Sequence, residues 1–320
     1  MSNINFRLKK NSPVSDTLIR PNVIKERGGI FGRALLHLMV KYFGKWSISL
    51  IALPVVFYYM TVMPGVRKNE MKYWSSIYPG CSKIKYLICI YKHYVMFGKT
   101  LIDRITAGHG IKTDHNFDCN SKSIIKGEIQ KGNAIILLCS HIGGYNLFRF
   151  LCDSFDLPFH FMMYQNGDNE NGSRYSMNDQ LEKGNVRFIN PAEPMNVIFE
   201  AVDVLNRREI LLTMGDRVSG ENSKYHDARM KGLKMKLPLG PWHIAYLTKA
   251  VVICIFIIKE KKEYRFIAQK PISFDYSGGI SKKIAIINAV STYAEYLEEM
   301  IYKYPFQWFN FAADVITARE

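Results

Sequence analysis

Apolar residues run without a break from 134 to 139 and give way at once to Ser140-His141-Ile142-Gly143-Gly144-Tyr145-Asn146. A short continuous apolar run bounded by Gly and Asn reads as a buried strand followed by a turn. Beyond the turn, apolar residues return at helical spacing over 145–155. The alternation then continues, predicting a strand at 159–163, a helix at 194–208 and a strand at 210–214. A helix at 240–249 follows, then a buried strand at 251–258 with a hairpin mate at 264–268, and a last helix at 282–304. The Lys-Glu-Lys-Lys-Glu run at 259–263 reads as the solvated turn of that hairpin. Strand and helix signals in this order predict an α/β fold, a central mixed sheet flanked by helices.

The pattern upstream is different. Helical spacing at 32–44 and 87–107 brackets residues 46–66, which hold no charged side chain over about the length needed to cross a hydrocarbon layer. Trp46, Tyr58 and Tyr59 suit a membrane interface, while Pro54 and Pro64 would kink or end a helix. Arg33, Lys41 and Lys45 precede the segment and Arg67, Lys68 and Lys72 follow it, so flanking charge gives no orientation. A span, a monotopic hairpin and a buried core helix all remain open. Residues 1–29 are polar, with Pro13 and Pro21, and read as a loosely held tail. The expected organisation is a tail at 1–29, a helical membrane-associated region at 30–110 and an α/β domain at 111–320.

Composition narrows the partners. In 320 residues, 48% hydrophobic and 13% aromatic content excludes a disordered chain. A net charge of +15 calls for an anionic partner. Lys and Arg are scattered rather than massed on a recognition element, which argues against nucleic acid. The six cysteines make no CxxC pair, zinc spacing or disulfide framework. His226 and Asp227 lie close together with no second ligand pair at suitable spacing, so no metal site is expected.

Candidate chemistry gathers at predicted strand ends, the edge at which open α/β sheets bind ligands. His141 there is either a general base or a satisfied structural histidine. N–H groups near Gly143 and Gly144, at the opening of the expected 145–155 helix, would hold an oxyanion. Gly215-Asp216-Arg217 follows the 210–214 strand and reads as a headgroup or phosphate site, or as an ordinary salt-bridged strand end. Lys231, Lys234 and Lys236 alternate with apolar residues before the rigid Pro238-Leu239-Gly240-Pro241 turn, and read as an anion-binding or merely solvated face. Pro305 to Phe311 closes the chain with aromatics that suit packing against the sheet or an acyl groove. Cys139, two residues before His141, is expected to face the core.

These motifs, taken in order, resemble the lysophospholipid acyltransferase superfamily. The nearest likeness is to the lipid A late acyltransferases and, among them, to the branch found with aryl polyene and flexirubin pigment genes. The resemblance runs from about Lys25 to Val315. It rests on Glu26-Arg27-Gly28, the apolar segment, Phe97-Gly98 with Leu101-Ile102-Asp103-Arg104, Ser140 to Asn146, Gly215-Asp216-Arg217, Pro238 to Pro241 and Pro305 to Phe311.

It implies a glycerol-phosphate acyltransferase-like fold at the cytoplasmic face of the inner membrane. The implied activity is transfer of an acyl group from an acyl carrier protein or CoA thioester to a hydroxyl or amine of a lipid, with no cofactor. His141 is implied as the base, with Gly143, Gly144, Asp216, Arg217, Lys236 and Gly240 binding substrate and anionic membrane lipid as a further partner. The family pattern places a carboxylate five positions beyond the histidine, after four intervening residues, and here that position is Asn146. An amide orients the ring without compensating its charge. Four alternatives follow: a slowed enzyme, a different acid such as Asp216 or Asp153, a glycyl or aminoacyl transferase of the same fold, or a lipid- or carrier-binding relative without turnover. Oligomeric state is left open.

Overall fold

Two unbroken apolar runs, 134–139 and 251–258, lie side by side at the middle of one sheet. The computed structural model describes residues 64–108, 115–117, 119–152, 154–162, 186–190, 194–218, 223–230, 233–261, 263–311 and 316–317. Two helices lead, α1 (Pro64–Ile77) and α2 (Lys83–Gly108), followed by β1 (His115–Phe117), α3 (Cys119–Gln130) and β2 (Ile135–Gly143). A 3-10 turn (Tyr145–Leu147) and α4 (Arg149–Cys152) lead to β3 (Phe159–Met162), β4 (Val186–Ile189), α5 (Pro194–Asn206) and β5 (Ile210–Met214). The chain continues through β6 (Tyr225–Met230), β7 (Leu233–Pro238), α6 (Gly240–Thr248), β8 (Val251–Glu260) and β9 (Glu263–Ala268). It ends with α7 (Lys282–Lys303), a 3-10 turn (Pro305–Gln307) and β10 (Ile316–Thr317).

The main sheet runs β1-β9-β8-β2-β5-β3-β4. Its pairings are parallel except for the β8–β9 hairpin, so the sheet is mixed and the α/β reading holds. Along β2, Ile136, Leu138 and Ile142 enter the core beneath α1, α2, α5, α6 and α7, while Ile135, Leu137 and Cys139 enter the opposite core with α3 and α4. Both faces are covered, which is why β2 and β8 read as unbroken apolar runs rather than alternating ones. The Lys-alternating stretch forms β7, the central strand of a small antiparallel sheet, β10-β7-β6. Leu233, Met235 and Leu237 are buried there, and Lys234 and Lys236 alternate with them on the other face.

Several boundaries differ from expectation. β2 does not stop at Cys139 but carries His141 and Ile142 within it. Cys139 pairs with Ile255 and Gly143 with Ile257, so β2 makes two more residue steps than β8 over this stretch. Such a bulge re-aims a side chain at a sheet rim. The expected 145–155 helix is instead a 3-10 turn and the single turn of α4, so no long helix points its amino end at His141. The expected solvated turn at 259–263 shrinks, because β8 continues through Glu260 and β9 starts at Glu263. Gln307 holds the extension, accepting from the Lys259 N–H and donating to its carbonyl, each at 2.9 Å. Lys259 is not solvated: its Nζ pairs with Asp103 of α2, which also accepts from Tyr264 Oη at 2.8 Å.

The apolar segment at 46–66 lies outside the described residues, apart from Pro64, Gly65 and Val66, which open α1. Among the described residues no helix is long and apolar enough to cross a membrane. The described part of the 30–110 region joins the main core, with Tyr73, Trp74, Ile77, Cys89 and Ile90 buried against it.

Gly143 and Gly144 are explained by close approach. Gly143 has φ +59°, and a Cβ there would lie 2.0 Å from the Ile257 carbonyl oxygen. A Cβ on Gly144 would lie 2.5 Å from the Tyr264 ring. Gly143→Ala is expected to destabilise the fold by about 2 kcal/mol or more, through left-handed strain and displacement of β8 backbone. Urea unfolding would read this as a lowered midpoint at unchanged slope.

Candidate functional site

β5 delivers a carboxylate to the bulged end of β2. Cys139 pairs with Met214, and the Gly215 N–H donates to the Cys139 carbonyl at 2.8 Å, so Asp216 arrives beside His141. Gly215 is required there because a Cβ would strike the Leu138 side chain at 2.8 Å. Asp216 is 1% exposed, a burial that a carboxylate tolerates only with its lone pairs engaged. Its Oδ1 meets His141 Nδ1 at 2.7 Å, and its Oδ2 accepts the His141 backbone N–H at 2.9 Å and the Trp308 indole N–H at 3.1 Å. Burial alone would raise the Asp216 carboxyl. The His141 charge, the bonds from its ring and backbone N–H, and the Trp308 indole outweigh that and hold it below the usual carboxylate value.

The geometry fixes the ring. An ionised Asp216 only accepts, so Nδ1 carries the proton, and in the neutral ring the lone pair then lies on Nε2. The His141 side chain is 13% exposed, the Tyr145 ring centroid lies 4.9 Å from its own, and Nε2 has no hydrogen-bond partner among the described residues. An imidazole held this way can take a proton from an approaching hydroxyl or amine.

The chain's aromatic ending forms a clamp across both members of the pair. Trp308 bridges Ile142, the Phe309 N–H donates to the His141 carbonyl at 2.7 Å, and Asn310 Nδ2 donates to the Asp216 carbonyl at 2.6 Å. Arg217 Nε reaches Asn310 Oδ1 at 3.1 Å, tying the next residue into the clamp. Trp308 and Phe309 are buried as expected for packing, but the bonding of Trp308 and Asn310 to the strand ends was not legible. No spacing rule links positions so far apart in sequence.

The expected site residues divide accordingly. His141, Asp216 and Arg217 come together. Asp216 does not face outward toward a headgroup, because its carboxylate is consumed by His141 and Trp308. Gly143 ends β2, whereas the Gly144 N–H already donates to the Ile257 carbonyl at 2.7 Å and so does not serve an oxyanion. Asn146 lies in the 3-10 turn, and its side chain is outside the described residues. Whatever it touches, the carboxylate on the ring is Asp216, one of the two acids named as alternatives; the other, Asp153, lies outside the described residues.

Lys236 sits on the small sheet over the Tyr225 ring at 4.6 Å, opposite Asp227 in register, and Gly240 starts α6. Neither is joined to His141 by a hydrogen bond or ring contact among the described residues. Lys231 lies outside them. Cys139 is buried, and burial followed by the Asp216 charge pushes its thiol up to about 12, so it is no thiolate nucleophile. Among the described residues no cluster of His, Cys, Asp and Glu would hold a metal ion.

No protein-family model matches the chain, and no curated protein matches it.

The depressed Asp216 carboxyl has a pH signature. A group whose folded value lies below its unfolded one stabilises at higher pH and loses that contribution as pH falls through the folded value. The stability difference between the native protein and Asp216→Asn is therefore expected to be full above about pH 5. It should shrink steadily as pH falls through the unfolded carboxylate value near 3.9 and below. Denaturant unfolding at stepped pH would check it.

Proposed function

We propose that the protein is a membrane-associated acyltransferase of glycerol-phosphate acyltransferase-like fold. It moves an acyl group from a carrier-protein or CoA thioester to a hydroxyl or amine of a lipid at the cytoplasmic face of the inner membrane. The single observation that carries this reading is the His141–Asp216 pair, in which a buried carboxylate holds Nδ1 at 2.7 Å and Nε2 has no hydrogen-bond partner among the described residues. The motif likenesses at 140–146, 215–217, 238–241 and 305–311 supply the thioester and lipid chemistry.

In this reading His141 Nε2 removes the acceptor's proton as its oxygen or nitrogen attacks the thioester carbonyl. The tetrahedral intermediate collapses with loss of the thiolate, which takes the proton back from the imidazolium. The products are an ester or amide and a free thiol, and no covalent enzyme intermediate is needed. Asp216 offsets the imidazolium charge formed on the way, which is the task the family pattern gives to the position of Asn146. A carboxylate supplied from β5 removes the motive for reading the Asn as loss of activity.

The test supplies purified protein with an acyl-CoA or an acylated carrier protein and a lysolipid acceptor, and measures product by mass spectrometry. Asp216→Asn is expected to lower kcat by about 10³–10⁴-fold, as when an Asp–His pair loses its carboxylate. His141→Ala is expected to lower it at least as far. Equal product from the native protein and His141→Ala removes the base assignment.

A further inference from the structure

A second carboxylate–histidine pair lies behind the first. Glu70 of α1 and His93 of α2 are 5% and 1% exposed, and Glu70 Oε2 meets His93 Nδ1 at 2.9 Å. The same oxygen accepts the Trp74 indole N–H at 3.1 Å. On the other side of the ring, His93 Nε2 lies 3.0 Å from the backbone carbonyl oxygen of Trp308. That carbonyl only accepts, so Nε2 carries a proton, and a further proton lies between Nδ1 and Glu70. The ring is stacked on Tyr73 and Phe309 and edge-on to Trp74. Tyr73 also donates from Oη to the Pro305 carbonyl at 2.7 Å, a second hold on the same segment.

Trp308 thus has two ends. Its carbonyl is held by His93, while its indole N–H is one of the donors that orient Asp216, and the next residue's N–H holds the His141 carbonyl. Moving the Trp308 backbone disturbs both at once. Ordinary apolar packing would fix the tryptophan ring, but it would not require two titratable groups buried at the one carbonyl that anchors the clamp. Burying such groups costs free energy unless they are paired and hydrogen-bonded, as they are here.

We propose that Glu70 and His93 are positioning residues for His141, acting through the Trp308 backbone to set the geometry of the Asp216–His141 hydrogen bond. Its consequence for turnover rests on the acyltransferase reading, but the geometric claim does not. Partners that orient metal-bound histidines alter activity about 10–100-fold when removed, and the lower end of that scale is the effect expected here.

The decisive probe is the far-downfield Nδ1–H proton of His141 in ¹⁵N-labelled protein, assigned by its loss in His141→Gln. His93→Leu is expected to shift or broaden that resonance while the protein still melts cooperatively. In the acyl-transfer assay it is expected to lower kcat roughly tenfold with KM unchanged. Glu70→Gln, in which no single amide atom can both donate to His93 Nδ1 and accept the Trp74 indole N–H, is expected to shift the resonance in the same direction as His93→Leu and by less. In a Trp308→Phe background the indole donor is gone but the backbone carbonyl and the Phe309 N–H remain, so His93→Leu is expected to move the resonance still, by less than in the native protein.

A folded His93→Leu protein with an unmoved His141 resonance overturns the proposal, whether or not any acyl transfer is found. Should His93→Leu fail to fold, the native protein decides through the proton on His93 Nε2. A bare Nε2 in long-range ¹H–¹⁵N spectra overturns the proposal, and a protonated Nε2 coupled to the Trp308 carbonyl supports it. A moved resonance in a protein without acyl-transfer activity would uphold the positioning claim and remove the functional reading instead.

Discussion

A carboxylate almost wholly removed from water must be fully bonded, and Asp216 imposes that condition on everything around it. Oδ1 is taken by the His141 ring, and Oδ2 by the His141 backbone and the Trp308 indole. Meeting these demands requires three distant pieces of chain at one place: the bulged end of β2, the end of β5 and the segment after α7. Each has a local reason to be there. β2 and β5 are adjacent parallel strands, so their carboxyl ends coincide, and the closing segment is pinned from behind by α1 and α2. Removing one partner would leave a buried charge, a situation that costs about 3–5 kcal/mol in comparable pairs. The arrangement is therefore cooperative: loss of any one contact strains the others.

His141 lies within the bulge at the end of β2. In an unbroken strand, side chains alternate strictly, and a one-residue slip sends a residue to the other face. The two extra residues between Cys139 and Gly143 keep that parity, so Ile142 enters the same core as Leu138. Gly143 at φ +59° then brings β2 back against Ile257, and Gly144 passes under the Tyr264 ring. Tyr264 is in turn held by Asp103, and burial, reinforced by the Asp103 charge and bond, keeps its hydroxyl protonated well above the usual phenol value. The glycines at 143 and 144 thus answer to backbone and ring proximity. The Gly144 N–H, already spent on Ile257, shows that a glycine-rich turn after a strand is not by itself an oxyanion hole.

Sequence was most informative where one local period decided the structure. β5 emerged with the bounds expected, and β2, β8, α5, α6 and α7 within a few residues, because their apolar patterns are long and uninterrupted. It was least informative where tertiary contacts overrode the local signal. Lys259 sits in a charged run that looks like a turn, yet Gln307 extends β8 through it and Asp103 draws its ammonium inward. The 145–155 stretch has helical spacing, but Leu147, Phe148, Leu151 and Cys152 satisfy their burial in two short turns instead. At the site, His141 was legible from its place after an apolar run. Its acid was legible only as an alternative, because a family spacing pointed to Asn146 while the pairing that matters runs between neighbouring strands.

That last contrast has a physical basis. A carboxylate five positions along the same chain must fold back over the glycine turn to meet its histidine, so its approach depends on a short irregular segment. A carboxylate at the end of the adjacent parallel strand is positioned by the sheet itself: the ladder from Ile135–Ile210 to Cys139–Met214 sets its distance before any side chain is chosen. Sites built on strands are held more tightly than sites on loops. A chain with Asp216 in that position can tolerate an amide at 146 without losing the charge that steadies the imidazole, and the rigid sheet carries the burden that the turn would otherwise bear.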